Sequence, residues 1–237
     1  MKIIKVNNYE ELSQKACEFL IKEIPKNKKF ILGFATGKSV LGTYKLLVKK
    51  FKEGKIDFSK IISFNLDEYF PIKKKNKNSF YFYMHKNLFD KINILKKNIN
   101  LFNGETKNPK KECLNYERKL KKNKIDLQIL GLGGNGHIGY NEPGSKINSE
   151  VRLINLNEKT LKDKSKNFKN GKMPSRAFTI GIKNILDSKK ILLIVSGKNK
   201  KVAFEHLIRG KISLDWPVSF LKKHKNLTVI VNKKIFN

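Results

Sequence analysis

Apolar and polar positions along the 237-residue chain follow two periods that take turns. Lys2 to Val6 alternates residue by residue, the pattern of a half-buried strand. From Asn8 onward the apolar positions fall three and four apart, which predicts a helix ending near Pro25. Asn8 with Glu11 three residues later supplies a cap-like start. Lys29 to Phe34 reads as a second strand, a short Thr-Gly turn follows, and a helix is expected from about Ser39 to Phe51. Ile61 to Leu66 is a third strand. Beyond a loop rich in Lys and Asn, Ser79 caps an aromatic helix running through Phe89, and Asn108-Pro109 opens another. Ile125 to Leu132 is almost continuously apolar, as strands covered on both faces are. Arg176 to Ile180, Lys190 to Val195 and Leu227 to Val231 are further strands, with Asn199 to Ile208 helical between the last two.

Strand and helix patterns that alternate in this way imply an α/β fold, a doubly wound and mainly parallel sheet with helices on both faces. Neither a linker nor a repeat interrupts the pattern, so residues 1–237 are read as one Rossmann-like domain. In such sheets ligands bind where strands end and helices begin. Three loops at those ends are rich in candidate chemistry: Ala35 to Ser39, Asn65 to Tyr69, and Gly131 to Gly144.

Two of these loops imitate nucleotide motifs. Gly37-Lys38-Ser39 follows a strand, but Gly33 precedes Gly37 with three residues between them, one short of a triphosphate loop. What survives is a glycine turn at a helix start, either a plain connection or a cradle of N–H groups for a single phosphate. Gly131, Gly133 and Gly136 have dinucleotide-type spacing, yet Gly139, Pro143 and Gly144 follow where a helix should open. That loop instead carries Asn135, His137 and Glu142. A histidine with a nearby carboxylate can serve as an oriented general base, and flanking glycines let a substrate approach closely. Asp67-Glu68 sits at the mouth of a buried strand. It is either a helix cap or a carboxylate desolvated enough to take a proton from carbon. His85, His206, His224 and the Trp216-Pro217 turn read as packing or surface features.

Composition adds one large number. Lys+Arg total 52 against 20 Asp+Glu, a net charge of +32. The only arginines are Arg118, Arg152, Arg176 and Arg209, whereas nucleic-acid readers favour Arg for bidentate contacts. The lysines are spread along the whole chain, so the charge reads as a solvated coat, with no specific nucleic-acid partner expected. Cys17 and Cys113 are far apart and outside any Cys-x-x-Cys spacing, which points to a reducing compartment without a disulfide or metal framework. The start lacks the apolar block of a signal peptide, and no apolar run approaches a membrane span, so a soluble, cytoplasmic protein without membrane contact is expected.

The three loops together resemble the glucosamine-6-phosphate deaminase family, through Gly33-Phe-Ala-Thr-Gly37, Phe64-Asn-Leu-Asp-Glu-Tyr69 and Gly136-His-Ile-Gly-Tyr-Asn-Glu-Pro143 in order. Arg176 to Gly181 and Gly197 to Lys200 extend the likeness across nearly the whole chain. The related 6-phosphogluconolactonases share the glycine–histidine loop but not the Asn-Leu-Asp-Glu-Tyr or Asn-Glu-Pro wording. The resemblance implies conversion of glucosamine 6-phosphate and water to fructose 6-phosphate and ammonia without a cofactor or a metal. It makes His137, oriented by Glu142 and Asn135, the aid to pyranose ring opening. Asp67 becomes the base that moves a proton from carbon 2 to carbon 1. The phosphate is assigned to Thr36, Gly37, Lys38 and Ser39, with charge from Lys166 and Lys200.

The chain departs from the family wording at three places. Asn135 stands where many members carry Asp, Lys166 where Arg is expected, and the segment after Tyr69 differs. The chain ends soon after Val231, without the extension of allosterically activated members, and a homo-oligomer is left open. Other readings of the same residues are a non-catalytic sugar-phosphate sensor, a lactonase-like hydrolase, and a nucleic-acid binder resting on charge alone.

Overall fold

The computed structural model describes residues 1–26, 28–166, 168 and 172–236, with the backbone only at 159 and 163. The first half of the chain runs β1 (Lys2–Val6), α1 (Tyr9–Glu23), β2 (Phe30–Phe34), α2 (Lys38–Lys52), β3 (Ile61–Asn65), β4 (Asp67–Phe70), α3 (Phe80–Asn87), β5 (Ile99–Asn100) and α4 (Pro109–Lys122). The second half runs β6 (Leu127–Gly131), β7 (Arg152–Asn155), α5 (Glu158–Ser165), β8 (Arg176–Thr179), α6 (Ile182–Leu186), β9 (Lys190–Val195), α7 (Lys201–Ile208) and β10 (Leu227–Asn232).

Three helices begin where their capping residues predict. Asn8, Ser79 and Asn108 accept the N–H of Glu11, Phe82 and Lys111 in turn, each satisfying a donor the first turn leaves unpaired. The aromatic helix is shorter than expected, with its regular turns ending at Asn87 and a single tighter turn at Phe89–Lys91.

Seven strands form one sheet in the order β1-β10-β9-β6-β2-β3-β5, and every neighbouring pair is parallel. Helices cover both faces. On one, Phe34 of β2 packs edge-on against Tyr44 of α2 with ring centres 5.8 Å apart; on the other, Phe64 of β3 meets Tyr116 of α4 at 5.7 Å. Because β2 and β6 lie side by side while their chains wind away in opposite directions, the carboxyl edge between them is the topological switch point. The loops after β2 and β6 flank that crevice, which explains why the phosphate-type turn and the histidine loop meet.

The structure corrects two strand assignments. Arg176 to Thr179 does not join the parallel sheet; as β8 it is the middle strand of a separate three-stranded antiparallel sheet, β4-β8-β7. Only Leu66 separates β3 from β4, so no crossover is available to bring β4 back parallel, and Asp67 to Phe70 pair antiparallel with β8. The Asn65 to Tyr69 segment is consequently strand rather than open loop. A second apolar cluster of Tyr69, Ile72, Tyr140, Leu156, Met173 and Ala177 accompanies the small sheet. Among the described residues no helix is long and apolar enough to cross a membrane.

Candidate active site

Asp67 opens β4 and lies opposite Thr179 of β8. Asp67 is buried, 7% exposed, and its Oδ1 has no hydrogen-bond partner among the described residues. The loop after β6 presses onto it at Gly139. A Cβ there would stand 3.3 Å from Thr179 Oγ1, 3.6 Å from Asp67 Oδ2 and 3.7 Å from Asn141 Nδ2. Gly139 also has φ +59°, a left-handed conformation that favours glycine. Burial, with the neighbouring Glu68 carboxylate adding to it, pushes the Asp67 pKa up to about 8, while Lys164 opposes the shift.

Glu68 points into a different role. Its carboxylate accepts the N–H groups of Tyr69, Phe80 and Tyr81, so it closes the N-terminal end of α3. Burial raises its pKa to about 7 against the pull of those three donors.

The glycine loop forms no helix. It turns back so that Gly133 N–H donates to the His137 carbonyl at 2.9 Å, and a Cβ at Gly133 would fall 2.4 Å from the imidazole. His137 Nδ1 lies 2.6 Å from Asn135 Oδ1; with Nδ1 protonated and donating, Nε2 is left as the acceptor. The imidazole is held well below the ordinary histidine range. Burial, then the charges of Lys200 and Lys164, drive its pKa down to about 3, and the neutral amide of Asn135 offers no negative charge to offset them. Replacing Asn135 by Asp restores that charge. The imidazole of Asn135→Asp should therefore titrate at a higher pH than in wild type, as read from the His137 ring resonances by NMR.

Glu142 finds its hydrogen-bond partners on α5. Its carboxylate accepts the Asn157 N–H at 2.9 Å and the hydroxyl of Thr160, and it is 7% exposed. Asn157 in turn caps α5 by accepting the Thr160 N–H. Glu142 thus fastens the first turn of α5 to the end of the histidine loop. The α5 start has a local signal in sequence, Asn157 followed by Glu158, a capping residue before an acid.

At the other end of α5 the cations differ in placement. Lys166, singled out for the phosphate, is exposed at the helix terminus. Lys164, missed from sequence, is half-buried and close enough to act electrostatically on both Asp67 and His137. Lys200 lies just before α7, its Nζ 4.0 Å from a Cβ position at Gly134.

The turn after β2 leads directly into α2. Gly37, with φ +128°, precedes α2 and provides no side-chain cap, so the first-turn N–H groups face the crevice end uncapped. Tyr83 and Tyr9 donate to the carbonyls of Gly37 and Lys38 and hold the turn. Thr36 and Ser39 are half-buried while Lys38 is exposed. Gly33 has a packing role instead, since a Cβ there would stand 2.1 Å from Gln128 Oε1.

Fold and site together define an α/β acid–base centre at a sheet switch point, with a buried carboxyl, a neutral imidazole and an uncapped helix N-terminus. The sequence matches the family described as glucosamine-6-phosphate isomerases/6-phosphogluconolactonase over residues 7–230, and the chain belongs to that family. It is 45% identical over 236 residues to a glucosamine-6-phosphate deaminase of Clostridium botulinum strain Hall, covering 99% of this chain and 97% of that protein. To the glucosamine-6-phosphate deaminase of Thermoanaerobacter sp. strain X514 it is 42% identical, covering 99% and 93%. A solved monomeric glucosamine-6-phosphate deaminase superposes with a TM-score of 0.96 at 36% identity, covering 100% of this chain and 99% of that one. The 6-phosphogluconolactonase of Thermotoga maritima, at 19% identity and TM-score 0.76, shares the fold.

Proposed function

We infer that this chain, acting as one domain over residues 1–237, converts glucosamine 6-phosphate and water to fructose 6-phosphate and ammonia. The observation that carries the reading is Asp67, a buried carboxyl held against the glycine loop that bears His137, in a chain 45% identical to named deaminases. The substrate phosphate rests on the α2 N-terminus, at Thr36, Gly37, Lys38 and Ser39, with Lys200 beside the glycine loop and Lys166 contributing from the exposed end of α5. His137 takes the anomeric hydroxyl proton at Nε2 and passes it to the ring oxygen as the bond from that oxygen to carbon 1 breaks, while Asn135 fixes the tautomer. Asp67 takes the proton from carbon 2 and returns it to carbon 1. With an amine proton passing to the carbon 1 oxygen, that transfer leaves an imine at carbon 2, to which water adds before ammonia departs. A sugar-phosphate ligand this small, recognised by backbone N–H groups and cations, needs no arginine fork.

The test is release of ammonia and fructose 6-phosphate from glucosamine 6-phosphate; absence of turnover by the intact protein overturns the reading. Because Asp67 must be ionised to accept the carbon-bound proton, kcat/KM should climb with pH up to about 8. Lys164 favours the ionised carboxyl, so Lys164→Met should move that limb to higher pH, whereas Lys166→Met should leave it in place. Acid release from a phosphosugar lactone tests the lactonase alternative, which the shared fold and the family description support.

A further inference from the structure

Trp216, the chain's only tryptophan, belongs to a short turn that grips the histidine loop at both ends. At the start of that loop, Val218 N–H donates to the Gly136 carbonyl at 2.8 Å; at its end, Gly144 N–H donates to the Leu214 carbonyl at 2.8 Å. Between these clamps the indole lies on Gly136, where a Cβ would meet Trp216 Cε3 at 2.8 Å and Trp216 Cα at 3.4 Å. Gly136 has φ +81° and separates Asn135 from His137, so the angle of this one residue sets how the amide oxygen meets the imidazole. The indole is itself held. His206 of α7 stacks on it with ring centres 3.9 Å apart and planes 11° from parallel. The turn is braced by Ser213 N–H donating to Ser219 Oγ at 3.0 Å and by Ser219 N–H donating to the Trp216 carbonyl at 2.8 Å.

We propose that Trp216, backed by His206, is a positioning residue for the Asn135–His137 pair: it fixes the Gly136 turn so that His137 Nδ1 faces Asn135 and Nε2 faces the substrate. The proposal rests on the role of His137 given above. An aromatic plate suits this task because its flat, rigid face fills space against a glycine backbone, and it excludes water from one side of the loop. The charged groups that act on His137 are Lys164 on α5 and Lys200 before α7. The Trp216 turn itself carries Asp215, which accepts from the Ser213 hydroxyl, and His206 stacks on the indole, so replacing Trp216 removes no charge and alters geometry and water access.

The experiment uses the full chain as Trp216→Ala, Trp216→Phe and His206→Ala, each confirmed folded by its cooperative thermal transition. For Trp216→Ala, kcat should fall on the order of 10²-fold with KM little changed, since misplacing a catalytic group by about 1 Å has that effect. In the ligand-free protein its His137 ring nitrogens should lose the fixed Nδ1–H signature, and the ring should titrate higher than in wild type. Phe should recover most of both, and His206→Ala should fall between. If Trp216→Ala does not fold, the Phe and His206→Ala variants carry the test, each with a smaller change in the same direction. Unchanged His137 resonances in the folded variants, or a loss of kcat that Phe does not relieve, would overturn the proposal. The NMR readout needs no substrate, so inactivity of the wild type on glucosamine 6-phosphate sinks the deaminase reading without deciding the role of Trp216.

Discussion

Asp67→Asn is expected to lower kcat by about 10²–10⁴-fold, the usual contribution of a positioned acid–base group, and to raise thermal stability at the same time. The shape is nearly preserved, so the glycine loop still packs at Gly139. What disappears is a proton acceptor in reach of carbon. The stability change follows from linkage. An ordinary aspartate in the unfolded chain gives up its proton near pH 4, whereas the folded chain keeps it up to about pH 8. Between those values the folded state binds more protons, so Asp67 withdraws stability as pH rises. Glu68, held up to about 7, acts in the same sense. An amide does not titrate, so the variant should melt higher than wild type around neutral pH and the difference should shrink toward pH 4. Calorimetry at several pH values, beside the ammonia assay, measures both halves. Equal kcat in the two proteins would remove Asp67 from proton transfer, and equal melting at every pH would show that its burial costs nothing.

Glu142→Ala should be the most damaging change outside the acid–base pair. It removes the acceptor for the buried Thr160 hydroxyl and for the half-buried Asn157 N–H. Each buried donor left unpaired costs about 1–3 kcal/mol. At roughly 2–4 °C of melting temperature per kcal/mol for a chain of this size, the midpoint should fall several degrees. The first turn of α5 should lose its hydrogen-exchange protection, and Lys164 should lose its place beside Asp67. Glutamine keeps one carbonyl acceptor and can donate to the threonine oxygen, so Glu142→Gln should retain most of the stability and of the α5 protection. The pair of variants also separates two roles. If Glu142 acted through His137, glutamine would change the imidazole titration; if it acts through α5, the ring should titrate as in wild type.

Much of this molecule is written locally. The capping residues Asn8, Ser79 and Asn108 name three helix starts because a cap needs only its own chain within three residues. The apolar run around β6 announces a strand buried on both faces, and alternating βα units dictate a parallel sheet. The same alternation puts the candidate loops at carboxyl ends, which is why Asp67, His137 and the Gly37 turn could be named before any coordinate. Trp216 and His206 gave no such signal, since each is unremarkable until α7 and the turn after it are brought against Gly136.

The sequence by itself thus determined the order of elements, the class of sheet and the three segments that meet at its edge, since period, capping and glycine turns act over a few residues. The tertiary structure alone decided what those residues do to one another. It moved β8 into a second sheet, tied Glu142 to residues 15 and 18 positions away, and distinguished Lys164 from Lys166, two residues apart and on roughly opposite sides of a helix path. It also drove His137 down and Asp67 up. Desolvation and Coulomb forces depend on every atom within several ångströms, whatever its position in the chain, and that neighbourhood exists only after folding.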